Sequence, residues 1–178
     1  AFAEEVVVPE GALMAVPQGF SMAEAAAFPV AASTAYCALV PRGRIRPGET
    51  LLVHGAGSGV GLTAVEIGHL MGARVIACAS TPEKRQAALT KGADLAIDNR
   101  SSFRDAVMEA TGGRGVDIAY DPVGGEIFTE TLRCMARRGR LLVIGFVAGI
   151  PEIATNHVLL KNYSVVGVHW GASLARRP

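Results

Sequence analysis

The sequence lacks a strong charge imbalance, has few aromatic residues and contains no long apolar run. Its 17 Lys and Arg residues nearly balance 16 Asp and Glu residues, so no global electrostatic field attracts nucleic acid or an anionic membrane. Aromatic residues make up only 6% of the chain, and no basic, aromatic-lined patch of the kind that binds RNA is visible. The longest uncharged run, Ala25 to Pro41, falls short of the ~20 apolar residues of a membrane helix. We therefore expect no nucleic-acid partner and no membrane span.

Cysteine and histidine are also scarce and are not clustered. Three cysteines lie far apart without CxxC spacing, which argues against a disulfide framework or a structural zinc site; they are Cys37, Cys78 and Cys134. Four histidines fall in different predicted elements and lack metal-ligand spacing; they are His54, His69, His157 and His169. We expect buried free thiols, no metal site and no catalytic histidine. No secretory signal is visible, so the default expectation is a cytoplasmic location.

The first fifty residues contain one clear helix start. The segment Glu4 to Pro9 is rich in valine and predicts a short strand. Ser21 and Glu24 have the spacing of a capping box, in which each side chain satisfies a free N–H of the first helical turn. Because proline fits the first turn of a helix, Pro29 is predicted to open a second helix over residues 30–40.

From Thr50 onward, short apolar runs alternate with helix-compatible segments, and their starts recur roughly every 24 residues, the size of one strand-helix unit. Continuous apolar runs are typical of strands covered on both faces. We predict an α/β fold with a doubly wound, six-stranded parallel sheet and helices on both faces. The predicted strands are TLLVH (50–54), RVIACAS (74–80), LAID (95–98), VDIAYD (116–121), RLLVIGF (140–146) and SVVGVHW (164–170). The basic run Arg137 to Arg140 is predicted to end a helix.

A glycine-rich stretch, VHGAGSGVG at residues 53–61, lies between the first predicted strand and an apolar helix. Glycines there let the backbone turn tightly and approach a pyrophosphate, whose charge is met by N–H groups at the helix N-terminus. The alternative is a tight strand-to-helix joint without a ligand. The spacing G-x-x-x-G-x-G is one found in short-chain dehydrogenases. However, no tyrosine of this chain is followed four residues later by lysine, so the pair typical of those enzymes is missing.

The end of the second predicted strand indicates which nucleotide would bind. An NAD site usually has Asp or Glu at this point for the ribose hydroxyls, whereas this chain has Ser80 and Thr81, followed by Lys84 and Arg85. Hydroxyl and cationic donors without a carboxylate suit a ribose 2′-phosphate. The sequence therefore favours NADP, although Lys84 and Arg85 are also what a solvated helix surface would carry.

Six stretches along nearly the whole chain match one known family in order. They are PEGALMAVPQGFSMAEAAAFPVAASTAYCAL, RPGETLLVHGAGSGVGLTAVEIGHLMGARVIACAS, KGADLAIDNR, GGRGVDIAYDPVGG, RRGRLLVIGF and LLKNYSVVGVHWG. The chain thus resembles the medium-chain dehydrogenase/reductases, in the zinc-free quinone oxidoreductase branch that includes zeta-crystallin. The resemblance implies that residues 1–40 are the tail of a catalytic, GroES-like domain with crossover helices. Residues 41–178 would then be an NAD(P)-binding Rossmann domain, and much of the complete enzyme would lie outside this chain.

The resemblance also implies which residues bind NADPH, although it assigns no catalytic residue within this segment. The expected cofactor-binding residues are Thr34, Gly57, Ser58, Gly59, Val60, Ser80, Lys84, Asn99, Val123, Gly145, Phe146 and Val147. Ser58 and Asn99 are included by position, although their residue types differ from those of the family. Asp121, before Pro122, is interpreted instead as a turn residue.

Three residues depart from the family pattern. Ser58 stands where quinone oxidoreductases often have a glycine, and Asn99 stands where many NADPH-using relatives have a tyrosine that grips the 2′-phosphate. Val30 stands where zinc-dependent relatives have Cys or Glu, and an apolar side chain cannot ligate a metal.

The expected function is hydride transfer from NADPH to a small molecule, either a quinone or, as an alternative, the activated double bond of an enoyl or alkenal substrate. A non-enzymatic role, as a crystallin-like or RNA-binding protein, is the second alternative. The resemblance implies a homodimer. Trp170 and His169 lie in a region that pairs between subunits in many relatives, although core packing is the simpler account of these two side chains. Because most substrate contacts would come from the other domain, this chain alone is expected to bind the cofactor and turn over poorly.

Overall fold

A computed structural model describes residues 3–174 and contains one six-stranded parallel sheet. The strands are β1 (Thr50–Val53), β2 (Arg74–Ala79), β3 (Leu95–Asp98), β4 (Val116–Asp121), β5 (Met135–Val143) and β6 (Ser164–Gly167). Their order across the sheet is β3-β2-β1-β4-β5-β6, and every neighbouring pair is parallel. The predicted fold class and the existence of all six strands are confirmed.

Helices cover both faces of the sheet. They are α1 (Met22–Cys37), α2 (Gly59–Leu70), α3 (Pro82–Thr90), α4 (Phe103–Ala110), α5 (Gly125–Cys134), α6 (Asn156–Lys161) and α7 (Trp170–Leu174), with a 3₁₀ turn at Glu10–Ala12 and a π-helix at Ala38–Arg42. One core lies against α1, α2 and α3, and the other lies against α4 and α5. Successive strand residues alternate between the two cores, since Leu51 and Val53 face the first and Leu52 faces the second. This alternation is why the strands are apolar throughout.

The first helix differs from the sequence prediction. The capping box is confirmed, because the Glu24 carboxylate accepts the Ser21 N–H at 2.8 Å and Ser21 Oγ accepts the Glu24 N–H at 3.3 Å. Pro29, however, lies inside one continuous helix and does not open a second one. An interior proline costs about 3 kcal/mol. We attribute its toleration to the burial of Ala35 and Leu39, which follow it, in the first core.

This continuous helix also changes the argument about a membrane span. Within residues 3–174, the segment Met22–Arg42 has 21 helical residues and a mean hydropathy of 1.3, so by length and composition alone it could cross a membrane. The sequence argument that the run is too short was therefore wrong. A core helix, which is mostly buried, and a signal sequence near an N-terminus meet the same criteria; here 17% of the apolar window is buried, and the helix packs against α2. The absence of a membrane span stays a prediction.

Three element boundaries also differ from the sequence prediction. Residues 4–9 form no strand; they are exposed and pair with no other strand of the described chain. Residues 137–140 lie within β5, because β5 begins at Met135 and a bulge lets its pairing with β4 shift between Val116 and Ile118. The sixth strand ends at Gly167, and Trp170 opens α7. The boundary between a catalytic-domain tail and a Rossmann domain at residue 40 stays a prediction.

Candidate nucleotide-binding site

The candidate site lies at the carboxyl edge of the sheet, where β1 and β4 are neighbours although two strands separate them in sequence. The helix after β1 packs on the first core and the helix after β4 packs on the second. The two connections therefore diverge and leave a crevice between them, which is where doubly wound sheets bind ligands. Most of the predicted cofactor-binding residues lie in the connections after β1, β2, β4 and β5 or in the helical turns that follow, whereas Asn99 follows β3 and Thr34 lies in α1.

The glycine-rich turn between β1 and α2 is held by its own hydrogen bonds. Gly55 has a φ of +59°, which favours glycine. Ser58 Oγ donates to the Gly55 carbonyl at 2.7 Å and accepts the Gly61 N–H at 3.2 Å, so Ser58 is the N-cap of α2. A Cβ at Gly61 would collide with the backbone of Gly55 and Ala56. Ser58, which departs from the family pattern, therefore closes the turn and caps the helix, a role that the sequence analysis missed.

The same turn presents a surface suited to a pyrophosphate. Ser58 and Gly59 are exposed. Gly59 and Val60 are the first two residues of α2, so their N–H groups have no partner within the helix. A Cβ at Gly59 would approach only Ala31, at 4.0 Å, so the space in front of the turn is open. Free N–H groups at a helix N-terminus with room beside them fit an anionic group, and the residues present therefore fit the phosphates of a dinucleotide.

The connection after β2 lies against this turn. Ser80 follows β2 and is half-buried, and Thr81 caps α3, with its Oγ1 accepting the Lys84 N–H at 3.3 Å. Lys84 is exposed, and its aliphatic stem passes over Gly57, where a Cβ would lie 2.5 Å from the Lys84 Cβ and Cγ. The fold thus brings Lys84 beside the glycine-rich turn. Among the described residues, the Lys84 ammonium has no hydrogen-bond or ion-pair partner.

Arg85, the other predicted cation, is occupied. Its guanidinium lies 3.0 Å from an Asp98 oxygen and donates to the Ala79 carbonyl at 3.2 Å. Arg100 binds the same carboxylate with two N–H groups at 2.7 and 3.0 Å. Hydrogen bonds from the Arg100 side chain, and then from its backbone N–H, hold the pKa of Asp98 well below its ordinary value. Two cations therefore neutralise this acid, and of the pair Lys84 and Arg85 it is Lys84 that is available to an anionic ligand.

Asn99 lies directly after β3 and faces a different environment. It lines a cavity of about 180 Å³ whose other walls are α4 and α5, on the side of the second core. Its Oδ1 is buried and has no hydrogen-bond partner among the described residues. This oxygen can accept a hydrogen bond but cannot donate one to a phosphate. A role for Asn99 in cofactor binding stays a prediction.

The turns after β4 and β5 are bound to each other on the far side of the crevice. Asp121 Oδ1 accepts the N–H groups of Val123 and Gly124 at 2.8 and 3.0 Å, so its interpretation as a turn residue agrees with the structure. Burial raises the pKa of Asp121, and those two hydrogen bonds oppose the rise. The Ala148 N–H donates to the Val123 carbonyl at 2.7 Å.

Across this turn, a Cβ at Gly55 would lie 3.7 Å from Val123, so Val123 borders the glycine-rich turn. A Cβ at Gly145 would meet the Pro122 carbonyl at 3.1 Å, so the two turns are in close contact. Phe146 and Val147 extend into solvent, with Val147 90% exposed. The loop after β5 thus presents exposed apolar side chains at this end of the crevice.

Thr34 reaches the site from α1. Ala31, one turn earlier in that helix, is the residue closest to the free space at Gly59. Residues three apart lie on the same helix face, so Thr34, which is half-buried, lies on the face that borders the glycine-rich turn.

His54, at the end of β1, is fully buried and does not face the crevice. Its Nε2 lies 2.8 Å from Thr131 Oγ1, which itself donates to the Ile127 carbonyl. Thr131 therefore accepts the Nε2 proton, which assigns the tautomer and leaves Nδ1 bare and without a partner among the described residues. Burial lowers the pKa of His54 to about 3. A neutral histidine in the core agrees with the prediction that it is no catalytic base.

The described residues hold no group of three or more His, Cys, Asp or Glu side chains that could bind a metal ion. Cys78 and Cys134 are buried and Cys37 is half-buried, all as free thiols. Burial raises the pKa of the Cys134 thiol to about 11. The prediction that no metal binds to this chain is unchanged by these observations, which concern residues 3–174 alone.

Comparison with known proteins identifies one family for most of the chain. The family model described as zinc-binding dehydrogenase matches residues 59–177. The chain is 39% identical to the mouse quinone oxidoreductase-like protein 2 over 174 residues, which are 96% of this chain and 50% of that protein. The chain thus spans about half the length of the curated relatives that it matches.

Two solved structures extend the comparison. The quinone oxidoreductase from Thermus thermophilus, whose structure is also known in complex with NADPH, superposes with a TM-score of 0.81 and 37% identity over 98% of this chain and 55% of that one. The CurK enoyl reductase superposes with a TM-score of 0.82 and 30% identity, over 93% of this chain and 49% of that one. Each superposition thus covers nearly all of this chain and about half of the other protein.

Proposed function

The chain belongs to the zinc-binding dehydrogenase family of medium-chain dehydrogenase/reductases, in the zinc-free quinone oxidoreductase-like branch, and from this we propose that it is the NADPH-binding part of an oxidoreductase that reduces a quinone. The observation that carries the choice of NADPH is Lys84, whose ammonium has no partner among the described residues and whose aliphatic stem lies against Gly57 in the glycine-rich turn. The similarity to a quinone oxidoreductase studied in complex with NADPH supports the proposal.

Each part of the site has a distinct task in this proposal. The N–H groups of Gly59 and Val60 bind the pyrophosphate at the start of α2. Lys84 and Ser80 bind the ribose 2′-phosphate as donors of charge-assisted hydrogen bonds. The Arg85 and Arg100 clamp keeps the Asp98 carboxylate neutralised, so that it does not repel the phosphate. Thr34 and Val123 border the same crevice from its two sides.

The reacting end of the site is formed by the loop after β5. When bound, NADPH supplies a hydride from its nicotinamide ring, and the chain's residues contribute position and exclusion of water. Gly145, Phe146 and Val147 follow β5 at the carboxyl edge, and the last two are exposed apolar side chains. We propose that they cover the nicotinamide and one wall of the acceptor site. The remaining walls would come from parts of the protein outside this chain.

Calorimetric titration with NADPH and NADH tests the proposal. A charged hydrogen bond contributes roughly 1.5–3 kcal/mol, so Lys84→Ala should weaken NADPH binding by about tenfold to hundredfold and leave NADH binding nearly unchanged. Lys91→Ala is the matched control, because Lys91 follows the same helix but pairs with Glu66 away from the glycine-rich turn. Equal affinity of the wild-type chain for NADPH and NADH would contradict the choice of NADPH.

The second candidate is an enoyl or alkenal reductase, which the similarity to the CurK enoyl reductase favours. Both candidates use the same cofactor site and differ in the acceptor, so this segment does not separate them. Steady-state assays of the whole protein with a panel of quinones and α,β-unsaturated carbonyl compounds would do so. A higher kcat/KM for the unsaturated carbonyl compounds would replace the quinone proposal.

Assembly and location are further proposals. β6 is one of the two edge strands of the sheet, and its residues Ser164 and Val165 are exposed; an uncovered sheet edge is a site where a second copy can pair. We therefore propose a homodimer, which analytical ultracentrifugation of the whole protein would test. A cytoplasmic location stays an expectation from the sequence.

A further inference from the structure

Gly57 differs from the other glycines of its turn in what surrounds it. Gly55 has a positive φ, and Gly61 packs against the backbone of Gly55 and Ala56, so backbone geometry explains both. Gly59 faces open space. At Gly57 the φ is outside the left-handed range, and the three atoms nearest to a Cβ would all belong to Lys84: its Cβ and Cγ at 2.5 Å and its Cδ at 2.7 Å.

The collision would not be relieved by rotating the lysine. The Lys84 Cβ moves only with the backbone of α3, and the start of α3 is fixed at several points. Thr81 Oγ1 accepts the Lys84 N–H. The next residue, Arg85, is bound to the Ala79 carbonyl and to Asp98. A side chain at position 57 must therefore displace the first turn of α3 away from the glycine-rich turn or force the lysine stem out of its place.

We infer that Gly57 is a positioning residue that determines cofactor specificity: its missing side chain makes the notch in which the Lys84 stem lies, and this directs the ammonium to the ribose 2′-phosphate. The inference rests on the proposed function, because it needs Lys84 to bind that phosphate. It differs from the usual reason for a glycine in such a turn, which is the close approach of the pyrophosphate. That reason affects NADPH and NADH equally, whereas the Lys84 notch affects NADPH alone.

The first test is a double-mutant cycle read out as the ratio of NADH to NADPH dissociation constants. Gly57→Ala should reduce this ratio by about tenfold or more, as Lys84→Ala does, with a much smaller change in NADH binding. The variant with both changes should have the same ratio as Lys84→Ala, since Gly57 acts through Lys84. A loss of NADPH and NADH affinity by the same factor would overturn the inference, and so would an unchanged ratio.

Gly59→Ala is the matched control within the same turn. It adds the same methyl group, but that group would approach only Ala31, at 4.0 Å. Any effect on phosphate binding should therefore weaken NADPH and NADH by the same factor and leave the ratio in place. A ratio that falls as far in Gly59→Ala as in Gly57→Ala would show that the turn, and not the Lys84 notch, sets the specificity.

A second variant keeps Gly57 intact and so avoids a failure to fold. In Glu83→Lys with Lys84→Ala, the lysine is moved to the neighbouring position of α3, where no glycine receives its stem. The variant is more positive near the site than the wild type, so a requirement for charge alone predicts restored NADPH preference. We expect the ratio to stay as low as in Lys84→Ala. Restoration of the wild-type ratio would overturn the inference.

The wild-type titration separates failure of the inference from failure of the proposed function. A wild-type chain without NADPH preference would contradict both. A wild-type preference that Lys84→Ala removes and Gly57→Ala leaves intact would support the proposed function and contradict the role of Gly57 alone.

Discussion

The two sides of the crevice are built differently. On the side proposed to bind the phosphates, hydrogen bonds close the glycine-rich turn and the start of α3 internally, Arg85 joins α3 to Asp98, and Lys84 lies against Gly57. On the nicotinamide side, the loop after β5 is anchored at its base to the β4 turn but exposes apolar side chains, with Ile150 80% exposed. Under the proposed function, this difference leads us to expect that the chain holds the phosphate end of the dinucleotide by itself, whereas the reacting end needs a cover.

The largest effect is expected from filling the phosphate side. In Gly61→Ala, the new Cβ would collide with the Gly55 carbonyl, and overpacking against backbone is costly because neither partner can rotate away. We expect a loss of about 3 kcal/mol or more in the free energy of unfolding, measured by urea denaturation followed by circular dichroism. Gly11→Ala, with nothing within 4 Å of the new methyl, is the control and should stay within about 0.5 kcal/mol. Equal stability of the two variants would show that the turn is not tightly packed.

An intermediate effect on stability is expected from two acids, Asp98 and Asp121, which lie on opposite sides of the crevice. Their contributions to the free energy of unfolding should change with pH in opposite directions. Asp98 has a folded-state pKa below its ordinary value of 3.8, so it binds fewer protons when folded, and its stabilising contribution is present above pH 3.8 and lost as the pH falls below it. Asp121 has a raised pKa, so its contribution is fully present below pH 3.8 and is lost as the pH rises through its folded-state pKa.

The unfolding free energies of Asp98→Asn and Asp121→Asn, each subtracted from that of the wild type at several pH values, test this contrast. From about pH 3 to about pH 7 the difference should grow for Asp98→Asn and shrink for Asp121→Asn. The same trend in both variants would contradict the contrasting environments.

The smallest effect on stability is expected on the nicotinamide side. Val147→Ser should change the free energy of unfolding of this chain by less than about 0.5 kcal/mol, because the side chain is 90% exposed. In the whole protein, however, removing an apolar contact of that size should lower kcat/KM by about tenfold. Leu70→Ser changes another exposed apolar residue, at the end of α2, and should leave kcat/KM unchanged. If both variants had the same activity, the loop after β5 would not form part of the acceptor site.

The sequence predicted those features that depend on local signals. The six strands follow from continuous apolar runs, and the turn after β1 follows from its glycines. The N-cap role of Ser58 was missed because Ser58 was considered only as a replacement for the glycine that the family often has. A serine directly before an apolar helix is itself a capping signal.

The features that were missed depend on contacts between distant segments. The ion pair between Arg85 and Asp98 joins α3 to the end of β3, and the Lys84 notch at Gly57 joins the glycine-rich turn to α3. Neither contact can be predicted from a periodic pattern along the chain. The continuous helix α1 was missed for the same reason. The local signal of Pro29 predicts a new helix, and we attribute the unbroken helix to the burial of Ala35 and Leu39 against distant segments. The start of β5 at Met135 was missed because the basic run at residues 137–140 resembles a helix end. The irregular pairing between β4 and β5 that includes this run depends on contacts between distant segments.

The most direct test of the central claim compares NADPH with 2′-phospho-ADP-ribose, which lacks only the nicotinamide, by calorimetric titration of this chain. If the phosphate side is complete and the nicotinamide side is not, the two ligands should bind with dissociation constants within about tenfold of each other. Binding of NADPH more than about a hundredfold tighter would contradict the account, because the nicotinamide side would then be formed within this chain.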